Sequence, residues 1–79
     1  MVEIHPAARR HEIADEDIEH AVTYAMVIEA QQDDTTLYLG PARSADLLEV
    51  VTVRREGEAE LAIHAMKMRP KYEPLLAGD

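Results

Sequence analysis

The chain has no cysteine, no tryptophan and no phenylalanine, and its 79 residues include three glycines and four prolines. Without cysteine there is no disulfide framework and no thiolate metal cluster. The glycines, at positions 40, 57 and 78, are too few and too scattered for a phosphate-cradling loop or a nucleophile elbow. The longest unbroken apolar run, Ala25-Met26-Val27-Ile28, is far too short to span a bilayer. The start, Met1-Val2-Glu3-Ile4, lacks the basic segment and apolar stretch of a signal peptide. A single cytoplasmic domain over 1–79, with no membrane partner, is the expectation.

Positive charge is also scarce. Eight Lys and Arg against 16 Asp and Glu leave a formal charge of −8. Such a field repels phosphate and argues against a protein that coats nucleic acid non-specifically. It leaves room for a local basic site. Residues 12 to 19 hold five acids and no Lys or Arg, whereas Arg9, Arg10 and His11 form one basic knot and Lys67, Arg69 and Lys71 another. The core is thin as well, because 12 of the apolar residues are alanine and the only aromatics are Tyr24, Tyr38 and Tyr72. A chain of this length buries roughly 60–65% of its unfolded surface, which barely offsets the conformational entropy. A homodimer or a heteromeric complex is therefore expected.

Hydrophobic periodicity divides the chain. Val2 and Ile4 alternate with Glu3 and His5, giving a short strand over 2–5, and Pro6 suits the first turn of a helix over 6–11. Asp15 reads as an N-cap, and Ile18, Ala21, Val22, Ala25 and Ile28 recur at helical spacing, so a helix over 15–30 follows. Its acids fall at the N-terminus, where the helix dipole favours them. The period then drops to two. Strands are expected over 35–39, stopped by Gly40-Pro41, over 47–54, and over 59–66, with Gly57 in the hairpin between the last two. A tail over 67–79 has room for one helical turn. The expected fold is α+β: an antiparallel sheet of three to four strands packed on N-terminal helices.

Candidate chemistry concentrates late in the chain. The four histidines (5, 11, 20, 64) never stand at i, i+4, so no metal site and no cofactor is expected. His64 reads first as a satisfied, half-buried side chain of the last strand, and it is also the best-placed titratable group for proton transfer. The strand that carries it runs into Lys67, Arg69, Lys71 and Tyr72. Cations there could neutralise a scissile phosphate as charge builds in the transition state, while a His or Tyr moves the proton. The ordinary alternative is a solvated basic terminus with Tyr72 packing its ring.

These stretches resemble the BrnT family of RelE-like ribonuclease toxins from type II toxin–antitoxin systems. The matching residues are Val2-Glu3-Ile4-His5, Arg9-Arg10-His11-Glu12-Ile13, Asp15-Glu16-Asp17-Ile18, Leu37-Tyr38-Leu39-Gly40, Leu47-Leu48-Glu49-Val50-Val51, and Ile63 through Tyr72. The family usually has Lys-His-Gly where this chain has Arg10-His11-Glu12, and Ser-Ala-Arg where it has His64-Ala65-Met66.

The resemblance implies a RelE-like fold and a metal-independent endoribonuclease that inhibits translation. It also implies a small cognate antitoxin, often ribbon-helix-helix, as partner. Carried to this chain, it gives His64, Lys67, Arg69 and Tyr72 as catalytic and Arg10, His11 and Lys71 as RNA-binding. Lys67 and Arg69 should then be removable without unfolding, since they stand beyond the last strand. Two alternatives stay open. One is a catalytically inactive binding or interaction module on the same scaffold, dimeric or regulatory, which the acidic balance and Met66 favour. The other is a small-molecule enzyme that uses His64 in a pocket.

Overall fold

In the computed structural model, which describes residues 2–78, five strands form one sheet in the order β1-β5-β4-β3-β2. They are β1 (Glu3–Ile4), β2 (Val27–Ala30), β3 (Thr35–Pro41), β4 (Leu47–Val53) and β5 (Leu61–Lys67). Neighbours are antiparallel except for β1, which lies parallel to β5. The sheet is thus mixed and one strand wider than the three to four expected. A 3-10 turn over Pro6–Arg9 and helix α1 (Asp15–Thr23) join β1 to β2, and a second 3-10 turn (Pro70–Tyr72) leads into the one-turn helix α2 (Glu73–Leu76). Met1 and Asp79, the ends of the expected domain, lie outside the described residues.

Helix α1 starts at Asp15 as expected, but Asp15 is not its cap: the N-cap is Ala14, with no side-chain capping bond, and Asp15 is the first helical residue, its carboxylate taken by Arg9 instead. Its acids are partly tied down: Asp15 takes Arg9, and Asp17 takes the side chain and backbone of Arg43. The expected helix over 15–30 ends seven residues early. Tyr24 closes α1, and Val27–Ala30 becomes the edge strand β2. The cause is the turn after it. Asp33 and Asp34 both have φ near 60°, the backbone of a two-residue hairpin turn whose twist matches that of flanking strands. That turn lays Val27–Ala30 against Thr36–Leu39. Ile28, assigned to the helical stripe, is consequently 64% exposed.

The other differences are smaller. The first helix, expected over 6–11, is a 3-10 turn of four residues. Strand β3 continues through Gly40 and Pro41 rather than stopping there. Gly40 is where α1 presses on the sheet, since a Cβ there would stand 2.1 Å from the carbonyl oxygen of Ala21. Gly57 takes the positive φ that the β4–β5 turn requires.

Strand parity places the core. Tyr38, Leu48, Val50, Ala62 and Ala65 face α1, where Ile18 and Ala21 are fully buried. A β-bulge at Ile63 shifts the phase of β5, so that Ala62 and Ala65 share the helix side while His64 pairs with Val51 on the other. The simple alternation of β5 expected from the sequence breaks at that residue.

Candidate functional site

On the side of the sheet away from α1, the middle of β4 buries a carboxylate. Glu49 alternates with Leu48 and Val50, and its side chain is 0% exposed. An ionised carboxylate in such a place must be matched by donors. It has four. The Arg69 guanidinium spans both oxygens, Nε to Oε1 at 2.9 Å and Nη2 to Oε2 at 2.7 Å. The Arg69 backbone N–H adds 3.0 Å to Oε1, and Nε2 of His64 lies 3.0 Å from Oε2. Burial pushes the Glu49 carboxyl up, but Arg69 and His64 outweigh it and bring it down to about 2. The group is therefore an acceptor at neutral pH.

That charge state fixes the His64 tautomer. Because Glu49 only accepts, Nε2 of His64 carries a proton, and in the neutral ring Nδ1 is the nitrogen that holds the lone pair. The imidazole is 31% exposed, so it is held from behind and open in front. The exposed ring of His11 meets it edge-on, with centroids 5.9 Å apart. His11 is set there by the backbone just after the Pro6–Arg9 turn, where Glu12 has φ 61°.

The structure brings five of the seven sequence-predicted residues into one region. His64 and Arg69 meet on Glu49, His11 meets His64, and the Tyr72 ring lies under Arg69 at 5.9 Å and under Lys71 at 5.0 Å. Arg69 is committed to Glu49, so its role here is to hold the carboxylate. Lys67 pairs with Leu48 in the sheet and so leaves on the helix side, away from His64. Arg10 is exposed beside His11 in the chain. Among the described residues Arg9, Arg43, Arg54, Arg55 and Arg69 all pair with carboxylates, and Arg10, Lys67 and Lys71 do not. Glu49 was missed from the sequence. The signal it left is a lone acid at the centre of the apolar run Leu47–Val53.

A second half-buried carboxylate lies on the helix side. Glu60 Oε1 accepts from the Tyr38 hydroxyl at 2.7 Å and from the Thr52 hydroxyl at 2.6 Å. These two donors lower the Glu60 carboxyl against the effect of burial. In turn burial, and then Glu60, push the Tyr38 phenol up to about 12.

Among the described residues no three His, Asp or Glu side chains are grouped to hold a metal ion, and no helix is long and apolar enough to cross a membrane. No protein-family model, no curated protein and no solved structure matches this chain.

Proposed function

We propose that the chain is an endoribonuclease whose two imidazoles carry the proton traffic of RNA cleavage, and that it acts as a toxin held in check by a cognate antitoxin. The observation that carries this reading is the placement of His64. A buried carboxylate holds its Nε2, its other nitrogen has no hydrogen-bond partner among the described residues, and a second imidazole has its ring centroid 5.9 Å away. In the proposed step Nδ1 of His64 takes the proton of a ribose 2′-hydroxyl as the oxygen attacks phosphorus. The bond from phosphorus to O5′ breaks, protonated His11 gives its proton to that oxygen, and a 2′,3′-cyclic phosphate remains. Arg10 and Lys71, unpaired among the described residues, supply positive charge to the phosphate. The positive φ of Glu12 supports the likeness to the BrnT-like toxins, because that position usually carries glycine in the family, and left-handed backbone favours glycine.

The test is induced expression in a bacterial host, with growth and transcript integrity followed over time. Cleavage of an RNA oligonucleotide by the purified chain, with the product termini identified by mass, completes it. Growth arrest, cyclic phosphate ends and no cleavage at a 2′-deoxy position are expected. His64→Ala should lower the cleavage rate by about 10²–10⁴-fold, the usual contribution of a positioned acid–base group. Undiminished cleavage in folded His64→Ala would remove this site from the reaction.

One observation favours a second reading, an interaction module without catalysis. The exposed large hydrophobic side chains among the described residues, Tyr24, Met26 and Ile28, cluster where α1 passes into the sheet-edge strand β2. Apolar groups on an open strand edge are a pairing surface. Unimpaired growth with abundant folded protein and intact RNA would select this reading.

A further inference from the structure

Helix α1 is too short for the sheet it covers. Nine residues reach about 14 Å, whereas the seven-residue strands β3, β4 and β5 reach about 23 Å. The chain leaves the helix at Tyr24, and α1 covers only part of that side of the sheet. A pocket of about 240 Å³ lies there, lined by Val2, Val22, Tyr38, Ala59 and Glu60. Its walls are aliphatic and its polar groups are two, the Tyr38 hydroxyl and the Glu60 carboxylate.

Those groups are already arranged. The Tyr38 hydroxyl donates to Glu60 Oε1, and the fully buried Thr52 donates to the same oxygen. Both hydroxyls are thereby used, and both fix the carboxylate's orientation. Among the described residues no donor reaches the second oxygen, Oε2. Arg54, which lines a second, more polar pocket with Glu60 and adds its field to that carboxylate, is hydrogen-bonded to Asp34 at 3.1 Å, and Arg55 is held by Glu3 and Glu58. An ionised carboxylate with one oxygen saturated and the other open, at the polar end of an aliphatic pocket, is a receptor for an N–H cation with a short hydrocarbon body. The net charge of −8 adds a favourable field for such an ion.

We infer that this pocket is a binding site for a small primary alkylammonium ion, with the ammonium on Glu60 Oε2 and the alkyl chain against Val2, Val22 and Ala59. The site lies across the sheet from Glu49 and His64, and it is independent of whether the chain cleaves RNA.

The test is an amide chemical-shift titration of the full chain with n-butylammonium, alongside n-butanol and n-butyrate, which share the alkyl chain and lack the cation. Saturable shifts at Val2, Val22 and Ala59 are expected with n-butylammonium. The two controls should bind about tenfold more weakly or not at all, the loss of roughly one charge-assisted contact. Glu60→Gln, which keeps an oxygen for Tyr38 and Thr52, should weaken n-butylammonium by a similar factor, and Glu49→Gln should leave it unchanged. Equal affinity for n-butanol would reduce the pocket to a greasy dimple and overturn the proposal without any variant. So would full binding by Glu60→Gln, or shifts confined to exposed acids such as Glu16 and Glu29.

Discussion

Glu49 and Glu60 lie on opposite sides of one sheet, and the difference between them shows how this small fold tolerates a carboxylate. Glu49 is fully buried and is answered by charge: a two-pronged guanidinium, a backbone N–H and an imidazole. Glu60 is half-buried and is answered by two neutral hydroxyls on a single oxygen. The first arrangement consumes both oxygens and leaves its open chemistry on a neighbour, at Nδ1 of His64. The second leaves an oxygen of its own. Both hold the carboxyl below its ordinary range, by different donors and at different cost if a partner is lost.

The sharpest way to break the comparison is to remove the cation. Arg69→Ala leaves buried Glu49 with His64 and the backbone N–H of residue 69 but no guanidinium, and breaking a buried ion pair costs up to about 3–5 kcal/mol. Denaturant unfolding should therefore show the largest loss of any single surface change in the chain. This reverses the expectation that Arg69, standing beyond the last strand, can be removed freely. A fully stable Arg69→Ala would mean that water reaches Glu49 and that the carboxylate is not held as described.

That reversal marks where the sequence stops being legible. The start of α1, the strands β3 to β5 and the glycine turn at Gly57 follow from periodicity and turn chemistry. The end of α1 does not, because Ala25 and Ile28 fit a helical stripe and a strand equally well. Asp33-Asp34 settles the matter only once read as a hairpin turn rather than as a helix stop. Glu49 is hidden for another reason. Its partners lie 15 and 20 residues away, His64 on the neighbouring strand and Arg69 beyond that strand's end, so no local pattern joins them to it. Val51, which looks central in its strand, is only half-buried on the Glu49 side, while its neighbour Val50 is the fully buried one.

Acid separates the two carboxylates next. Glu49 falls from 4.5 to about 2 on folding, so the stability it contributes is complete above pH 4.5 and is lost as pH falls toward about 2. Unfolding midpoints measured between these values should drop steeply in the wild type and more gently in Glu49→Gln. At the other extreme, Tyr38 is raised from 10.0 to about 12, so its contribution holds below pH 10 and is lost as pH rises toward about 12. Tyr38→Phe should flatten that alkaline loss. An unaltered alkaline slope in Tyr38→Phe would mean that the phenol is not protected by Glu60.

Near neutral pH the hydroxyl side of the comparison gives a smaller effect than the charged side. Tyr38→Phe removes one donor to a carboxylate that still keeps Thr52 and is open to water through Oε2. About 1.5–2 kcal/mol of destabilisation is expected, at the low end of the range for a hydrogen bond to a charged group. A loss as large as that of Arg69→Ala would mean that Glu60 is as dry as Glu49.

The smallest effect belongs to Lys67, and it is informative because it is small. Lys67 stands opposite Leu48 at the end of β5 and is exposed on the helix side, with no carboxylate within ion-pair distance among the described residues. Lys67→Ala should change stability by no more than about 0.5 kcal/mol, as for a surface site without partners. On the proposed ribonuclease reading it should also leave RNA cleavage unchanged, because its charge lies across the sheet from His64. Lys71→Ala removes the same charge on the His64 side, where Lys71 lies over Tyr72. It should raise the RNA concentration needed for half-maximal cleavage and make that concentration less dependent on salt. If Lys67→Ala instead impairs cleavage as much as Lys71→Ala, the RNA crosses the sheet edge. The reacting phosphate would then lie nearer the Lys67 end of β5 than the placement of His11 and His64 implies.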